Sequence, residues 1–177
     1  MKYIPWERAT LRASAGRGKR SANIFAENQQ LFASSRVFDI LNTNGKIYGL
    51  DAEIAWNYGL SFMQGFTLFN RPADVSVDFY RTDFQNQAVV DLYASPQQAL
   101  FYNLNGSSYA NSLQLDFNYE LATHFNLRTA YKYYEIETDY LSGSAQRPLQ
   151  AKHRFFANLA YETHIAEKGQ QWKFDFT

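Results

Sequence analysis

The residues best suited to chemistry in this sequence are three histidines, and their spacing argues against a metal centre. The only histidines are His124, His153 and His164. No two of them lie four residues apart, the spacing that brings two ligands to one face of a helix. The chain has no cysteine to supply a thiolate ligand. We therefore expect turn and interfacial histidines, no metal site and no cofactor.

Acidic and glycine-containing segments offer no stronger catalytic pattern. Glu135, Glu137 and Asp139 alternate along one segment, where they could bind a divalent cation or face solvent. We favour solvated carboxylates. The stretch 16–18 (GRG) lacks the Lys-Ser/Thr pair of a phosphate-binding loop, and no serine lies in a Gly-x-Ser-x-Gly elbow. We therefore predict that the protein is not an enzyme.

The composition combines many aromatic residues with a polar average. Aromatic residues make up 18% of the chain, yet the mean hydropathy is −0.45. This combination is typical of strands in which only every second residue is apolar, and of aromatic girdles at a membrane surface. No apolar run approaches the roughly 18 residues of a transmembrane helix. The net charge is zero, which gives no reason to expect a nucleic-acid partner.

Seven segments alternate apolar and polar residues with the period of two that indicates a β-strand. In the clearest, apolar residues occupy nearly every even position from Trp56 to Leu68. In the third, Arg81 falls on the apolar face, which indicates either a β-bulge or the point where the strand leaves its apolar surroundings. The predicted strands are 10–15, 55–68, 75–81, 109–121, 127–134, 154–162 and 172–176.

Long and short links alternate between these strands. The long links are 17–53, 93–106 and 141–150, and the short ones are 69–73, 122–126 and 164–170. Outer-membrane barrels have short turns at one end and longer loops at the other, whereas a soluble sandwich has no reason to separate loop lengths this way. We predict an all-β antiparallel up-and-down meander of about seven strands, a partial transmembrane β-barrel. Strand neighbours should follow chain order, with no parallel pair and no helix longer than two turns.

The two faces of the predicted sheet differ in polarity. One face carries serine, amide and carboxylate side chains that a dry core could not satisfy, among them Ser61, Gln114, Asp116, Asn118 and Asn158. The opposite face should contact lipid. Its predicted lipid-facing residues are Trp56, Tyr58, Leu60, Phe62, Leu113, Leu115, Phe117, Leu159 and Tyr161.

Six short stretches resemble a known family. They are 11–18 (LRASAGRG), 21–28 (SANIFAEN), 55–60 (AWNYGL), 78–83 (DFYRTD), 148–154 (PLQAKHR) and 159–163 (LAYET). Together and in this order, they resemble the C-terminal barrel of TonB-dependent outer-membrane receptors, particularly those of Bacteroidetes-type bacteria. The resemblance implies that residues 1–177 form part of a barrel of about 22 strands. We expect the plug domain and the barrel ends to lie outside this chain.

The resemblance also implies a function and a set of partners. The expected function is active uptake of a scarce nutrient, an iron chelate, cobalamin or a glycan, across the outer membrane of a Gram-negative bacterium. The expected partners are outer-membrane lipid and lipopolysaccharide, the plug and the rest of the barrel, and the TonB energy-transducing complex. Because polar loops on a rigid barrel carry ligand contacts, the candidate ligand-binding residues are Asn23, Glu27, Asn28 and Arg36.

Two alternatives remain open at this stage. A small complete outer-membrane barrel with a structural or adhesive role requires a closed sheet with an even number of strands. A soluble barrel that binds an apolar ligand requires the apolar face to point inward. We rank the soluble barrel last, because loop lengths alternate and the apolar face is rich in tyrosine.

Overall fold

The structure, a computed structural model, describes residues 1–41, 45, 47–146, 151–163 and 171–177. Nearly all of its regular elements are strands. In chain order they are β1 (Lys2–Tyr3), β2 (Ala9–Arg20), α1 (Ile24–Glu27), a 3-10 helix (Gln29–Ala33), β3 (Val37–Ile40), β4 (Glu53–Leu68), β5 (Arg71–Gln85), β6 (Ala88–Asp91), β7 (Gln98–Asn103), β8 (Ser108–Ala122), β9 (Phe125–Tyr140), β10 (Gly143–Gln146), β11 (His153–Glu162) and β12 (Lys173–Phe176). No helix in the described part has the length or apolarity to cross a membrane.

The main sheet is an antiparallel meander. Its strands lie in the order β1-β2-β4-β5-β8-β9-β11-β12, and β10 pairs with the end of β9 as a hairpin. The seven predicted strands correspond to β2, β4, β5, β8, β9, β11 and β12, so the predicted fold class is confirmed. The sheet is not closed, because β1 and β12 end the path without pairing to each other.

Tight turns connect the strands at one end of this sheet. Phe69 and Asn70 join β4 to β5, with φ angles of 48° and 61°, the backbone of a two-residue turn that matches strand twist. His124, at φ 66°, closes the next turn, as predicted. Pro72 was expected in the first turn but lies within β5, opposite Thr67. The predicted turn at 164–170 lies outside the described residues.

The strand register places the apolar and the polar residues on opposite faces of the main sheet, and lipid contact of the apolar face stays a prediction. Phe62, Val77, Leu115, Tyr131 and Phe155 are successive cross-strand partners, so they form one apolar row across five strands. The neighbouring row on the opposite face is polar and consists of Arg12, Ser61, Asp78, Gln114, Lys132 and Arg154. The register runs through Arg81 without a shift, which excludes a β-bulge there. The other alternative, that β5 leaves its apolar surroundings at Arg81, stays a prediction.

A second, three-stranded sheet arises from the long links. Its order is β3-β7-β6, and β3 pairs with β7 in parallel, so the prediction of no parallel pair is wrong here. The cause is that β3 and β7 come from two different long links at the same end of the main sheet. The intervening hairpin of β4 and β5 returns the chain to that end, which replaces the crossover helix that a parallel pair usually needs.

The buried apolar core lies in this loop region rather than along the main sheet. Its largest cluster joins the segment around α1 to the small sheet and contains Ala22, Ile24, Leu31, Leu50, Ala99 and Phe101. The apolar face of the main sheet stays uncovered, since Leu60 is 49% exposed and Phe155 is 74% exposed. The loop region is therefore self-supporting, whereas the barrel face needs something apolar against it.

Candidate functional site

A pocket of about 200 Å³ lies between the small sheet and the polar face of the main sheet. We call it the loop-end pocket, since it lies at the end of the main sheet that carries the long links. The main sheet contributes its floor, and the segment from α1 together with β6 covers it. It is lined by Arg20, Glu27, Asn28, Glu53, Gln87, Ala88, Val89, Val90, Ile136, Thr138 and Tyr140.

A charged cluster joins four elements at this pocket. The Arg20 guanidinium, at the end of β2, pairs with Glu53 at the start of β4 and lies 3.1 Å from Glu27 of α1. The other Glu53 oxygen accepts a hydrogen bond of 3.1 Å from the Ala88 backbone of β6. Glu53 is only 5% exposed. Both of its oxygens are therefore satisfied, as a buried carboxylate requires.

A second buried carboxylate ties the β9–β10 hairpin to the small sheet. Asp91 is fully buried and accepts hydrogen bonds from the Ser142 hydroxyl at 2.8 Å and the Ser142 backbone at 3.2 Å. The backbone N–H groups of Tyr93 and Ala94 also donate to it. The Tyr102 hydroxyl donates to Asp91 and accepts from the Leu141 backbone. We call this group the Asp91 latch.

The latch perturbs the ionisation of both its acidic groups. Burial raises the pKa of Asp91, but the hydrogen bonds from Ser142, Tyr93 and Ala94 outweigh it, and the net pKa is lowered. Burial is also the main reason that the pKa of Tyr102 is raised, although the Leu141 N–H opposes it. The negative charge of Asp91 raises the Tyr102 pKa further. The latch therefore holds a charged Asp91 and a neutral Tyr102 at neutral pH.

The structure brings two of the four predicted ligand-binding residues into the loop-end pocket. Glu27 and Asn28 line it. Asn23 instead caps α1 by accepting from the Ala26 backbone. Arg36 donates from one nitrogen to the carbonyls of Leu92, Ser95 and Gln98, which fixes the link before β7. Ligand contact by any of the four stays a prediction.

The buried acids Glu53 and Asp91 do not stand out in the sequence. Each lies at a strand end and each gains its role from partners far along the chain, Arg20 and Ser142. Only Asp91 has a local sequence signal for its role. The segment Tyr93-Ala94-Ser95-Pro96 that follows it is turn-forming, and an Asp side chain before a turn commonly accepts hydrogen bonds from the turn backbone.

Several side chains singled out from the sequence make other contacts. Glu137 accepts from the Tyr109 hydroxyl at 2.7 Å, and Glu135 accepts from the Asn111 amide at 3.0 Å. His153 lies 2.7 Å from the Tyr131 hydroxyl, and His164 lies outside the described residues. No group of three or more candidate metal ligands occurs among the residues that the structure describes.

Comparison with known proteins gives the family. The profile described as "TonB dependent receptor-like, beta-barrel" matches residues 1–176. The chain belongs to the TonB-dependent receptor β-barrel family. A search of curated protein sequences finds no match. Members of this family are transporters rather than enzymes and reside in the outer membrane of Gram-negative bacteria. The Bacteroidetes-type subgroup stays a prediction.

The fold of this TonB-dependent receptor chain also matches a solved receptor. The neighbour is the Pseudomonas aeruginosa receptor FpvA in complex with iron and a heterologous pyoverdine. The match has a TM-score of 0.56 and 14% sequence identity and covers 98% of this chain. The chain spans 24% of FpvA. At this identity the comparison supports the fold alone.

Proposed function

We propose that this chain is a barrel segment of a TonB-dependent receptor that takes up a scarce nutrient, an iron chelate, cobalamin or a glycan. In this proposal the main sheet forms part of the barrel wall, and the loop-end pocket contributes to nutrient binding. A plug, the rest of the barrel and the TonB energy-transducing complex complete the transporter. The observation that carries the proposal is the polar pocket that the folded long links form over the polar face of the sheet.

The dimensions of the apolar face support a membrane location. On β4, the apolar row from Trp56 to Leu68 spans about 40 Å at about 3.3 Å per residue. A strand tilt of about 40° reduces this to about 30 Å along the membrane normal, which is close to the hydrocarbon thickness of a bilayer. Trp56 and Tyr58, whose rings stack at 6.2 Å, lie at one end of the row, where aromatic girdles occur.

The pocket itself supports contact with a polar nutrient. Its lining includes the polar side chains of Thr138, Asn28 and Gln87. The Thr138 hydroxyl is bonded to Ser108 and the Asn28 amide donates to the Ile24 carbonyl. The Gln87 side-chain oxygen is buried and has no hydrogen-bond partner in the described part of the chain. Such an acceptor costs free energy unless a donor, from a ligand or a water, reaches it after a side-chain rotation.

The nutrient itself stays open among the three classes. FpvA binds a pyoverdine–iron complex, as its description states, but 14% identity gives no basis for transferring that ligand. The alternative function, a small complete outer-membrane barrel with a structural or adhesive role, needs a closed sheet. The main sheet in the described residues is open, which disfavours that alternative.

The test is nutrient uptake by cells that carry the receptor as their sole transporter of that kind. Cells with and without the receptor are supplied with a limiting iron chelate, cobalamin or glycan, and uptake is measured before and after collapse of the proton-motive force. We expect energy-dependent uptake of one class. If none of the three nutrients is taken up, or if uptake is unchanged after collapse of the proton-motive force, the proposal is contradicted.

The pocket is tested with matched variants in the same cells. Gln87→Ala removes a pocket amide whose oxygen has no hydrogen-bond partner among the described residues, whereas Gln30→Ala removes an exposed amide of the same type that does not line the pocket. We expect the first to raise the half-saturating nutrient concentration by about tenfold, the effect of one lost hydrogen bond, and the second to leave it unchanged. Equal values for both variants contradict a role of this pocket.

A further inference from the structure

The charges of the loop-end pocket are one arginine and two carboxylates. Among the described residues, Arg20 is the only cation that lines the pocket. Its Nε donates to Glu53. Its two terminal nitrogens face Glu27, with Nη1 3.1 Å from one carboxylate oxygen and Nη2 3.2 Å from the other. The described lining therefore carries a net negative charge, and its arginine is already held on both sides.

The contact between Glu27 and Arg20 has the geometry with which an arginine binds an anionic ligand. A guanidinium binds a carboxylate or a phosphate through two parallel N–H···O bonds, and Glu27 occupies that position on Arg20. The buried Glu53 already neutralises Arg20, so charge balance does not require a second carboxylate. The Glu27 side chain is 42% exposed. Glu27 therefore lies where the acidic group of an anionic ligand would bind.

A dissolved anion competes poorly with Glu27 for this position. Glu27 follows Arg20 by seven residues, so the two groups belong to one short segment of chain. A group tethered this closely has an effective concentration of about a millimolar or more. A scarce nutrient is present in the medium at far lower concentration. Its carboxylate or phosphate groups should therefore not displace Glu27.

Other cations of the polar face lie too far away to attract an anion into the pocket. On β2 the next cation of this face is Arg12, about 26 Å from Arg20 at about 3.3 Å per residue. On β9 the next is Lys132, about 20 Å from the pocket residue Thr138. Both distances exceed twice the Debye length of about 8 Å at physiological salt. Lys19, the sequence neighbour of Arg20, lines a different pocket with Asp51.

The pocket instead offers hydrogen-bond acceptors to a ligand. The Gln87 side-chain oxygen is buried and has no partner in the described part of the chain. The Asn28 amide nitrogen donates to the Ile24 carbonyl, which leaves the Asn28 oxygen to accept. A carboxylate has about four acceptor positions, so Glu27 can accept bonds beside those from Arg20. The matching ligand group is a donor, such as a hydroxyl, an amide N–H or an ammonium group.

We propose that Glu27, by occupying Arg20, makes the loop-end pocket selective for a neutral or cationic hydrogen-bond donor of the nutrient and excludes anionic groups. The inference rests on the proposed role of this pocket in nutrient binding, and it adds the chemical class of the group that enters. The pocket volume of about 200 Å³ is below the roughly 300–1,000 Å³ of ligand sites. The pocket therefore takes one group of the nutrient rather than the whole molecule.

The test is calorimetric titration of the full receptor in neutral detergent, with citrate up to the millimolar range as the anionic probe. We expect no citrate binding by the wild-type protein. Glu27→Gln should gain a citrate site at least about tenfold tighter than the detection limit of the wild type, because the freed guanidinium offers two charge-assisted hydrogen bonds. Glu53 still pairs with Arg20 in this variant, so the fold is retained.

Two control variants separate the charge of Glu27 from other effects. Glu27→Asp keeps the carboxylate and should not gain citrate binding. Asp83→Asn frees Arg81, which lies on the outer face of the main sheet. It should not gain binding either, because a single exposed charge pair contributes little in water. In cells, citrate should inhibit nutrient uptake by Glu27→Gln and not by the wild type.

The outcomes that overturn the proposal are distinct. Citrate binding by the wild type as tight as by Glu27→Gln would show that Glu27 does not exclude anions. Absence of binding in both would show that another feature excludes them. Equal gains in Glu27→Gln and Glu27→Asp would show that the carboxylate charge is not the cause, and a gain in Asp83→Asn would show that any freed arginine binds citrate. Failure of the proposed transport function is a different result, the absence of energy-dependent uptake, and it leaves these titrations interpretable.

Discussion

Introducing a charge at Leu115 provides a direct test of which face of the main sheet meets lipid. Leu115 lies in the apolar row with Phe62, Val77 and Tyr131, six residues along the strand from the row of Trp56. That separation is about 20 Å along the strand and about 15 Å along the membrane normal after tilt, which places Leu115 near the middle of the bilayer. Arginine at this depth on a lipid face costs about 2–4 kcal/mol.

The matched control is its sequence neighbour Gln114, which points to the polar face. There Gln114 donates to Asp116 at 2.7 Å and has Asp78 and Lys132 as cross-strand partners. Gln114→Arg would place the new charge in a wet environment, beside the carboxylates of Asp78 and Asp116 and the ammonium group of Lys132. We expect it to cost less than about 1 kcal/mol, since exposed ion pairs have small effects.

The assay is reversible urea unfolding of the receptor in lipid vesicles, followed by tryptophan fluorescence and by the gel mobility of the folded barrel. Leu115→Arg should lower the folding equilibrium constant roughly 30- to 700-fold, which is 2–4 kcal/mol at about 1.4 kcal/mol per factor of ten. Gln114→Arg should stay within roughly fivefold of wild type. Equal losses for the two variants, or a larger loss at Gln114, would refute the assignment of the faces.

Four further outcomes are expected. Asp91→Asn should speed proteolysis of the link around Ser142, because hydrogen bonds to a charged acceptor contribute about 1.5–3 kcal/mol each, while urea unfolding of the barrel in vesicles should not change. Since the pKa of Asp91 is lowered in the folded state, its stabilisation is present above about pH 4 and lost as the pH falls through the folded-state value. The resistance of this link to proteolysis should therefore decrease at acidic pH, and Asp91→Asn should remove this pH dependence. An epitope inserted after Pro96 should be labelled on intact cells and one after Asn70 should not; the reverse pattern would show inverted topology. Residues 1–177 expressed without detergent should aggregate, whereas a monodisperse soluble monomer would support the soluble-barrel alternative.

The main sheet was predictable because each of its strands has the same simple requirement. One face of every strand meets apolar surroundings and the other meets water, so polarity alternates along the whole strand regardless of which strand is its neighbour. Segment 55–68 shows this most clearly and forms β4 almost to the residue. The predicted segment 127–134 is shorter than β9, which continues to Tyr140. The alternation is lost there because the outer face of β9 carries Glu135 and Glu137 above the apolar band.

The small sheet could not be predicted from the same pattern. Its strands have four to six residues and lie inside polar links, which is too short for a periodicity to stand out. Their pairing also depends on bringing two separate links together, as in the contact of β3 with β7. For the same reason, the sequence predicts that Glu27 and Asn28 lie in a loop, but it does not predict their position beside Arg20 and Glu53. Arg20 and Glu53 lie near the two ends of the first long link, and their contact forms only when that link folds.

The separation of the buried core from the barrel face allows the loop-end pocket and membrane insertion to be studied separately. The loop region packs around Phe101 and Leu31 and is tied to the sheet by Arg20, Glu53 and Asp91, all of them polar-face or loop residues. Within the described part of the chain, the buried residues of that core all lie outside the strands of the main sheet. Substitutions in the apolar row, such as Leu115→Arg, should therefore alter insertion without disturbing the loop-end pocket, and substitutions at the pocket should alter nutrient affinity without changing insertion. A variant in either region that changed both properties equally would show that the wall and the loop region are energetically coupled, and the Arg20–Glu53 pair and the Asp91 latch are the contacts through which to test that coupling.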